Sequence, residues 1–199
     1  MQFNENAKNY FASITNGVLK AILGVEQDKT IEEFEKVKTI RVEQNNRIEQ
    51  SVSFPAFDFE QIYHESWIDS ELKDLTEKKF LFLFFKNNGT HYVFDKVKFW
   101  NMPFLDRNEV RKVWLKTKEI IQTGNIIKGY KTDKNGKISR LNNFPKKSEN
   151  KVWHVRPHGQ NALDTNPLPV MEKDTNAMSF TKQCFWMNWD YLRDEIYLK

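Results

Sequence analysis

Apolar residues change their spacing several times along this chain, and each change marks an element. Tyr10, Phe11, Ile14, Val18, Ile22 and Leu23 recur at helical spacing and Gly24 comes next as a stop, which predicts a helix over 6–23. Lys36–Glu43 and Arg47–Phe54 alternate apolar and polar residues around Gln44-Asn45-Asn46, the pattern of a strand pair with one wet face, ended by Pro55. Asp58 is placed to cap a short helix carrying Phe59, Ile62, Tyr63 and Trp67. After a charged connection, Phe80–Phe85 is continuously apolar and predicts a strand buried on both faces. Asn87-Asn88-Gly89-Thr90 is a hairpin turn leading into His91–Trp100.

The second half repeats the mixture. Asp106-Arg-Asn-Glu109 has the form of a capping box, and Val110, Val113, Trp114, Thr117, Ile120 and Ile121 form an apolar stripe that stops at Gly124. From Lys128 to Asn150 the pattern dissolves into a loop of about twenty residues with a turn at Asp133–Gly136, a length usual for functional or mobile loops. Lys151–Pro157 reads as a strand, His158 to about Ala177 as a second loop, and Ser179–Trp186 as a further strand. Asn188 then caps a final helix to Leu198. The expected architecture is α+β, a mixed sheet flanked by helices, in a single domain over 1–199 whose first 35 residues are a helix and its connection.

Composition narrows the class. The chain has 199 residues, 39% of them hydrophobic, with 16 Phe, 6 Tyr and 6 Trp and few Gly or Pro, which excludes linker-like or collagen-like chains. One cysteine makes neither an internal disulfide nor a Cys-rich zinc site, and a reducing, cytoplasmic setting fits. The longest apolar run, six residues, is far short of the roughly 20 that a membrane-spanning helix needs. The net charge of +4 is an average over two unlike halves: residues 1–100 carry a net −3 and residues 101–199 a net +7, and Arg107–Arg156 alone reaches +10. Such a concentration suits a polyanion, although a solvated lysine face has the same composition.

The strand Lys151-Val-Trp-His-Val-Arg-Pro157 places His154, Arg156 and His158 on one face, with Gln160 and Asn161 next in the loop. Guanidinium and carboxamide groups pair bidentately with guanine and adenine edges, so this rim is a candidate for reading bases. Lys131, Lys134, Lys146 and Lys147 in the basic loops are candidates for phosphates; a histidine strand with a structural Arg is the alternative. His154 and His158 lie about 13 Å apart on an extended strand, too far to share a metal ion. Metal-dependent nucleases commonly align Glu-x-Lys on a strand. Here Glu71-Leu-Lys73, Glu77-Lys-Lys79 and Glu149-Asn-Lys151 are about as many as 27 acids and 24 lysines produce by chance. No Gly-rich phosphate loop or Gly-x-Ser-x-Gly elbow occurs, and the residues favour binding over catalysis, with no catalytic or metal-ligating set.

Several stretches occur together in a known order: Ser53-Phe-Pro-Ala-Phe-Asp-Phe59, Lys79–Phe85, Lys98-Phe-Trp-Asn-Met-Pro103, Asn142-Asn-Phe144, His154-Val-Arg-Pro-His158 and Thr181-Lys-Gln-Cys-Phe-Trp186. On these the chain resembles, from about Lys36 onward, the C-terminal half of Sau-type restriction endonucleases that cut at GATC, relatives of the mismatch-repair nicking enzyme MutH. The resemblance implies a MutH-like fold used twice in a type IIE restriction–modification enzyme. The N-terminal copy cuts DNA with magnesium, and the C-terminal copy binds a second GATC site as an allosteric effector and needs no cofactor of its own. The implied partners are double-stranded DNA and the catalytic N-terminal domain. In the matching segment Lys36-Val-Lys-Thr-Ile40, Lys36 stands where a catalytic Glu would be and Lys38 keeps the lysine position; Asp28, Glu33 or Glu35 compensates only in another register. The resemblance also places Lys182 and Gln183, with the His-Val-Arg-Pro-His strand, near the DNA cleft. The alternatives are a magnesium-dependent endonuclease or nickase acting at GATC, and a protein-interaction module.

Overall fold

In a computed structural model the described residues are 36–136 and 138–199, with Thr15, Gly17, Val18, Lys20 and Ala21. Those five early residues are helical, and the rest of the helix expected over 6–23 lies outside the described residues, as do Asp28, Glu33 and Glu35. Strands and helices are mixed, an α+β arrangement of small sheets, gathered into two compact units. The first takes the chain up to Ser51, then Thr76–Met102 and Trp189–Lys199; the second takes Val52–Leu75 and Pro103–Asn188.

The first unit is organised by its most apolar segment. β3 (Lys79–Asn87) lies between β1 (Lys36–Val42), which runs parallel to it, and β4 (Tyr92–Asn101), which runs antiparallel. All six residues Phe80–Phe85 are fully buried, because alternation sends three to each face. Leu81, Leu83 and Phe85 pack with Val18, Val37, Tyr92 and Val97. On the other face the Phe80 and Phe82 rings are 5.7 Å apart, Trp100 lies against both, and Tyr197 lies 4.9 Å from Phe84. The turn between β3 and β4 closes one residue later than the sequence suggests, with Asn88 N donating to His91 O and Gly89 at φ 105°.

Tyr197 ends a C-terminal helix that starts as α4 (Trp189–Tyr191) and widens into a π-helix over Leu192–Tyr197. Its hydroxyl donates to Asp95 (2.8 Å), and Lys96 Nζ lies 4.1 Å above its ring. Burial, and then the bond to Asp95, push the Tyr197 hydroxyl up to about 12. The Ser51 hydroxyl accepts from Trp189 N at the start of this helix.

The second unit has β10 (Gln183–Met187) at the centre of a three-stranded sheet, antiparallel to β2 (Val52–Ala56) and β7 (Trp153–Pro157). The expected pairing of Lys36–Glu43 with Arg47–Phe54 therefore does not form. A strand buried like β3 needs backbone partners at both edges, and β1 supplies one while β2 joins β10. Pro55 does not end the strand but sits within β2, at the sheet edge, where its missing N–H costs no ladder bond. Asp58 caps α1 (Phe59–His64) by accepting from Glu60 N and Gln61 N. The charged connection contains α2 (Glu71–Glu77), whose Lys73 N donates to Ser70 Oγ.

α3 (Phe104–Thr123) buries the six residues of the expected stripe, Val110, Val113, Trp114, Thr117, Ile120 and Ile121. Its cap residue is Pro103, three residues before the first residue of the predicted box, with no side-chain cap bond; Pro103 O accepts from Arg107 N. Gly124 closes it at φ 64°, and a Cβ there would lie 2.4 Å from Met171 O. The long basic loop is in large part a hairpin of β5 (Ile127–Thr132) and β6 (Ile138–Asn142), turning where Gly136 N donates to Asp133 O. The second loop contains β8 (Thr165–Pro167), paired with β9 (Ser179–Thr181); Lys182 breaks the expected Ser179–Trp186 strand into β9 and β10.

Phe82→Ala should remove about 3–5 kcal/mol of stability in urea denaturation, whereas Phe104→Ala, at a side chain 73% exposed, should change it by less than about 0.5 kcal/mol.

Candidate nucleic-acid interface

β7 and β10 pair so that His154 stands opposite Trp186, and Arg156 opposite Cys184. Alternation then gathers three polar side chains around one indole. The Arg156 Cζ lies 5.0 Å above the Trp186 ring, the His158 ring meets it edge-on at 6.0 Å, and the His154 ring stacks at 6.4 Å. The shared face read from the strand pattern is therefore present. Trp186 is absent from the expected set, because only the cross-strand register, which is not a sequence pattern, brings it there.

Burial divides this group. Arg156, His158, Gln160 and Asn161 are exposed. His154 is only 3% exposed, with Nδ1 2.5 Å from Asn188 Oδ1, and Asn188 Nδ2 donates to Asn150 O (2.8 Å). Within this buried chain the Asn188 side chain fixes the imidazole. Gln183 is likewise buried, its Nε2 donating to Thr181 O. Contrary to expectation, neither His154 nor Gln183 presents its side chain to solvent, so both act as supports for the strands that carry the exposed groups.

The loop after β7 is held in one shape by Asp164. Its carboxylate accepts from Lys182 Nζ (2.6 Å) and from Gln160 N (3.0 Å), and Lys182 first, then that amide, hold its carboxyl below the usual range. Lys182 is thus an ion-paired side chain. Its backbone also grips the loop, donating to Asp164 O and accepting from His158 N. Asn161 Oδ1 accepts from Leu163 N, which leaves the Asn161 side-chain amide N–H groups directed away from that bond. Gly159 is needed because a Cβ there would lie 2.9 Å from Asp164 O and 3.0 Å from Asn161 O.

The lysines fall in two further places. Lys131 and Lys134 are exposed on the β5–β6 hairpin and its turn. Its root is tied down by Glu172, a fully buried carboxylate that accepts from Ile127 N, Asp174 N, Thr175 N and the Thr175 hydroxyl. Burial alone would raise the Glu172 carboxyl, but these donors outweigh it and hold the group below its usual value. Lys146 is exposed and Lys147 half-buried in the turn after Phe144, whose ring is fully buried. Lys146 lines a polar hollow of about 240 Å³ with Lys116, Lys128, Asn142, Asn143 and Glu149, and Lys116 is paired to Glu149 at 2.5 Å. Lys116, on α3, is not among the expected site residues, since helix periodicity assigns it only to the solvent side.

Comparison with known proteins bears on what these groups do. No protein-family model matches the chain. It is 33% identical over 194 residues to the type II restriction enzyme Sau3AI of Staphylococcus aureus, across 83% of this chain. This chain is similar to a type II restriction enzyme. It spans 40% of the length of Sau3AI, so the similarity concerns a part of that enzyme. Among the described residues no three His, Cys, Asp or Glu side chains gather as a metal-binding cluster, and no helix is long and apolar enough to cross a membrane.

Because the Glu172 carboxyl is depressed in the fold, its contribution is present above the usual carboxylate range and is lost as pH falls below it. Glu172→Gln should cost about 1.5–3 kcal/mol at pH 7, measured by urea denaturation, and the gap to wild type should shrink as pH falls below the ordinary glutamate range.

Proposed function

We propose that this chain is a double-stranded DNA-binding domain of a type IIE restriction endonuclease of MutH-like fold, recognising GATC and acting as an effector rather than as the cutting centre. The observation that carries the reading is the exposed Arg156 and His158 on a Trp186 platform, in a segment similar to part of a DNA restriction enzyme. A guanidinium held over an indole is pre-oriented, so less side-chain freedom is lost when it pairs with the O6 and N7 of a guanine. Gln160 and Asn161, on the loop pinned by Asp164, supply carboxamides of the kind that pair with adenine. Lys131, Lys134, Lys146 and Lys147 neutralise phosphates, which positions the duplex without reading it.

The non-catalytic part of the reading rests on β1. In the resemblance to cutting domains, Lys36 stands where the catalytic Glu would be and Lys38 keeps the lysine position, so the sequence puts a cation where an ion needs an anionic oxygen. Magnesium and bond cleavage are then assigned to a catalytic partner domain of the same cytoplasmic enzyme. GATC bound here would favour the cutting-competent arrangement of that partner, a coupling free energy between two sites.

In competition assays at fixed salt, a GATC duplex should displace a labelled GATC probe at far lower concentration than a scrambled duplex; equal competition would sink the specificity claim. Arg156→Ala should reduce the GATC preference by about 1–3 kcal/mol while leaving the thermal melting transition in place. GATC plasmid incubated with the chain and magnesium should remain unnicked, and nicks abolished by Lys38→Ala would instead show a nickase.

A further inference from the structure

The β5–β6 hairpin differs from the other strand pairs in how little of it touches the protein. Every described residue from Tyr130 to Thr132 and from Ile138 to Leu141 is exposed, on both faces of the ribbon, and the contacts of this stretch with the body are at its base, where Tyr130 reaches Asp174 and Arg140 lies 5.9 Å over the Phe180 ring. Tyr130 is 52% and Ile138 66% exposed. Two-stranded ribbons without a packed face are marginal in water, so the tip gains little from the body and is free to serve a partner.

The root is built for the opposite purpose. Ile127 N is held by the buried Glu172, and the Tyr130 hydroxyl donates to Asp174 (3.0 Å), a second residue of the same loop. Between Ile127 and Gly129 the register slips by a bulge, and Gly129 takes φ 152° with nothing within 4 Å of a Cβ position. A bulge bends a strand pair and re-aims the residues beyond it. The ribbon is thus angled from a fixed base.

Its charge identifies the partner. Residues 127–142 carry Lys128, Lys131, Lys134, Lys137 and Arg140 against Asp133, a net +4. A pair of strands about 4.8 Å apart fits the roughly 12 Å width of a B-DNA major groove, which admits a two-stranded ribbon. We propose that the β5–β6 ribbon is a groove-entering arm that occupies the major groove of bound duplex DNA in the stretch flanking the recognition sequence. The inference rests on the DNA-binding reading above and adds an element that reaches beyond the site approached by Arg156.

The test is dimethyl sulfate probing of guanine N7, a major-groove atom, on a duplex with guanines on both sides of GATC. Wild-type chain should protect flanking guanines within about one helical turn of the site. A variant in which residues 131–139 are replaced by Asn-Gly, joining Tyr130 to Arg140, should lose that flanking protection and, because Lys131 and Lys134 go with it, bind GATC and scrambled duplexes more weakly by a similar factor. Should that variant fail to show a cooperative melt, Lys131→Ala/Lys134→Ala serves. It should weaken the flanking protection and lower the slope of log affinity against log salt by about 2. Flanking N7 atoms left reactive by wild type, even with a salt slope that depends on the ribbon, would mean contact along the phosphates and would overturn the arm alone. Ribbon-dependent N7 protection without GATC preference would overturn the recognition reading and keep the arm. A chain that binds no duplex overturns both.

Discussion

A five-residue strand, Gln183–Met187, has to satisfy the backbone groups of β2 on one side and β7 on the other, and the candidate interface depends on that double pairing. Its register with β7 sets Trp186 opposite His154 and thereby puts an indole beneath Arg156 and beside His158. A slip by one residue would turn Trp186 to the other face and remove the platform. The buried His154–Asn188–Asn150 chain opposes such a slip, because each donor and acceptor in it would be stranded without water. Buried polar groups here define alignment more than they add stability.

The same logic separates the residues that meet solvent from those that hold them. Asp164 bonds both Lys182 and Gln160 N, so the loop carrying Gln160 and Asn161 is closed by one carboxylate. Glu172 does the equivalent for the hairpin, tying Ile127 to the segment containing Asp174 and Thr175. In each case an acid in a basic region works by ordering backbone amides, and the exposed cations around it keep their charge for a polyanion. Net charge along the sequence registers the excess of lysine but is blind to this division of labour.

Much of the first unit was legible from residue order. Six consecutive apolar residues demanded burial on both faces, and β3 has it, with Val18 on one face and Tyr197 on the other. The stripe on α3 was legible in full because a long helix repeats its period often enough to identify every buried position. Short or weakly patterned elements were not. The β5–β6 hairpin lacks an apolar face, so alternation had nothing to mark, and α2 is too short to establish a period. The first N–H of the last helix bonds Ser51, a residue distant in sequence, and local capping rules consider only neighbours.

By itself the sequence determined the α+β mixture, the buried β3, the α3 stripe, the concentration of positive charge between Arg107 and Arg156, and the common face of His154, Arg156 and His158. These come from local period and composition, which a linear chain carries in full. Tertiary structure decided that β1 and β2 take different partners, that His154 and Gln183 are internal supports, that Lys182 is paired, and that Trp186 underlies Arg156. Those outcomes depend on strand register and on which buried polar groups find partners. Both are set by contacts between residues far apart in the chain.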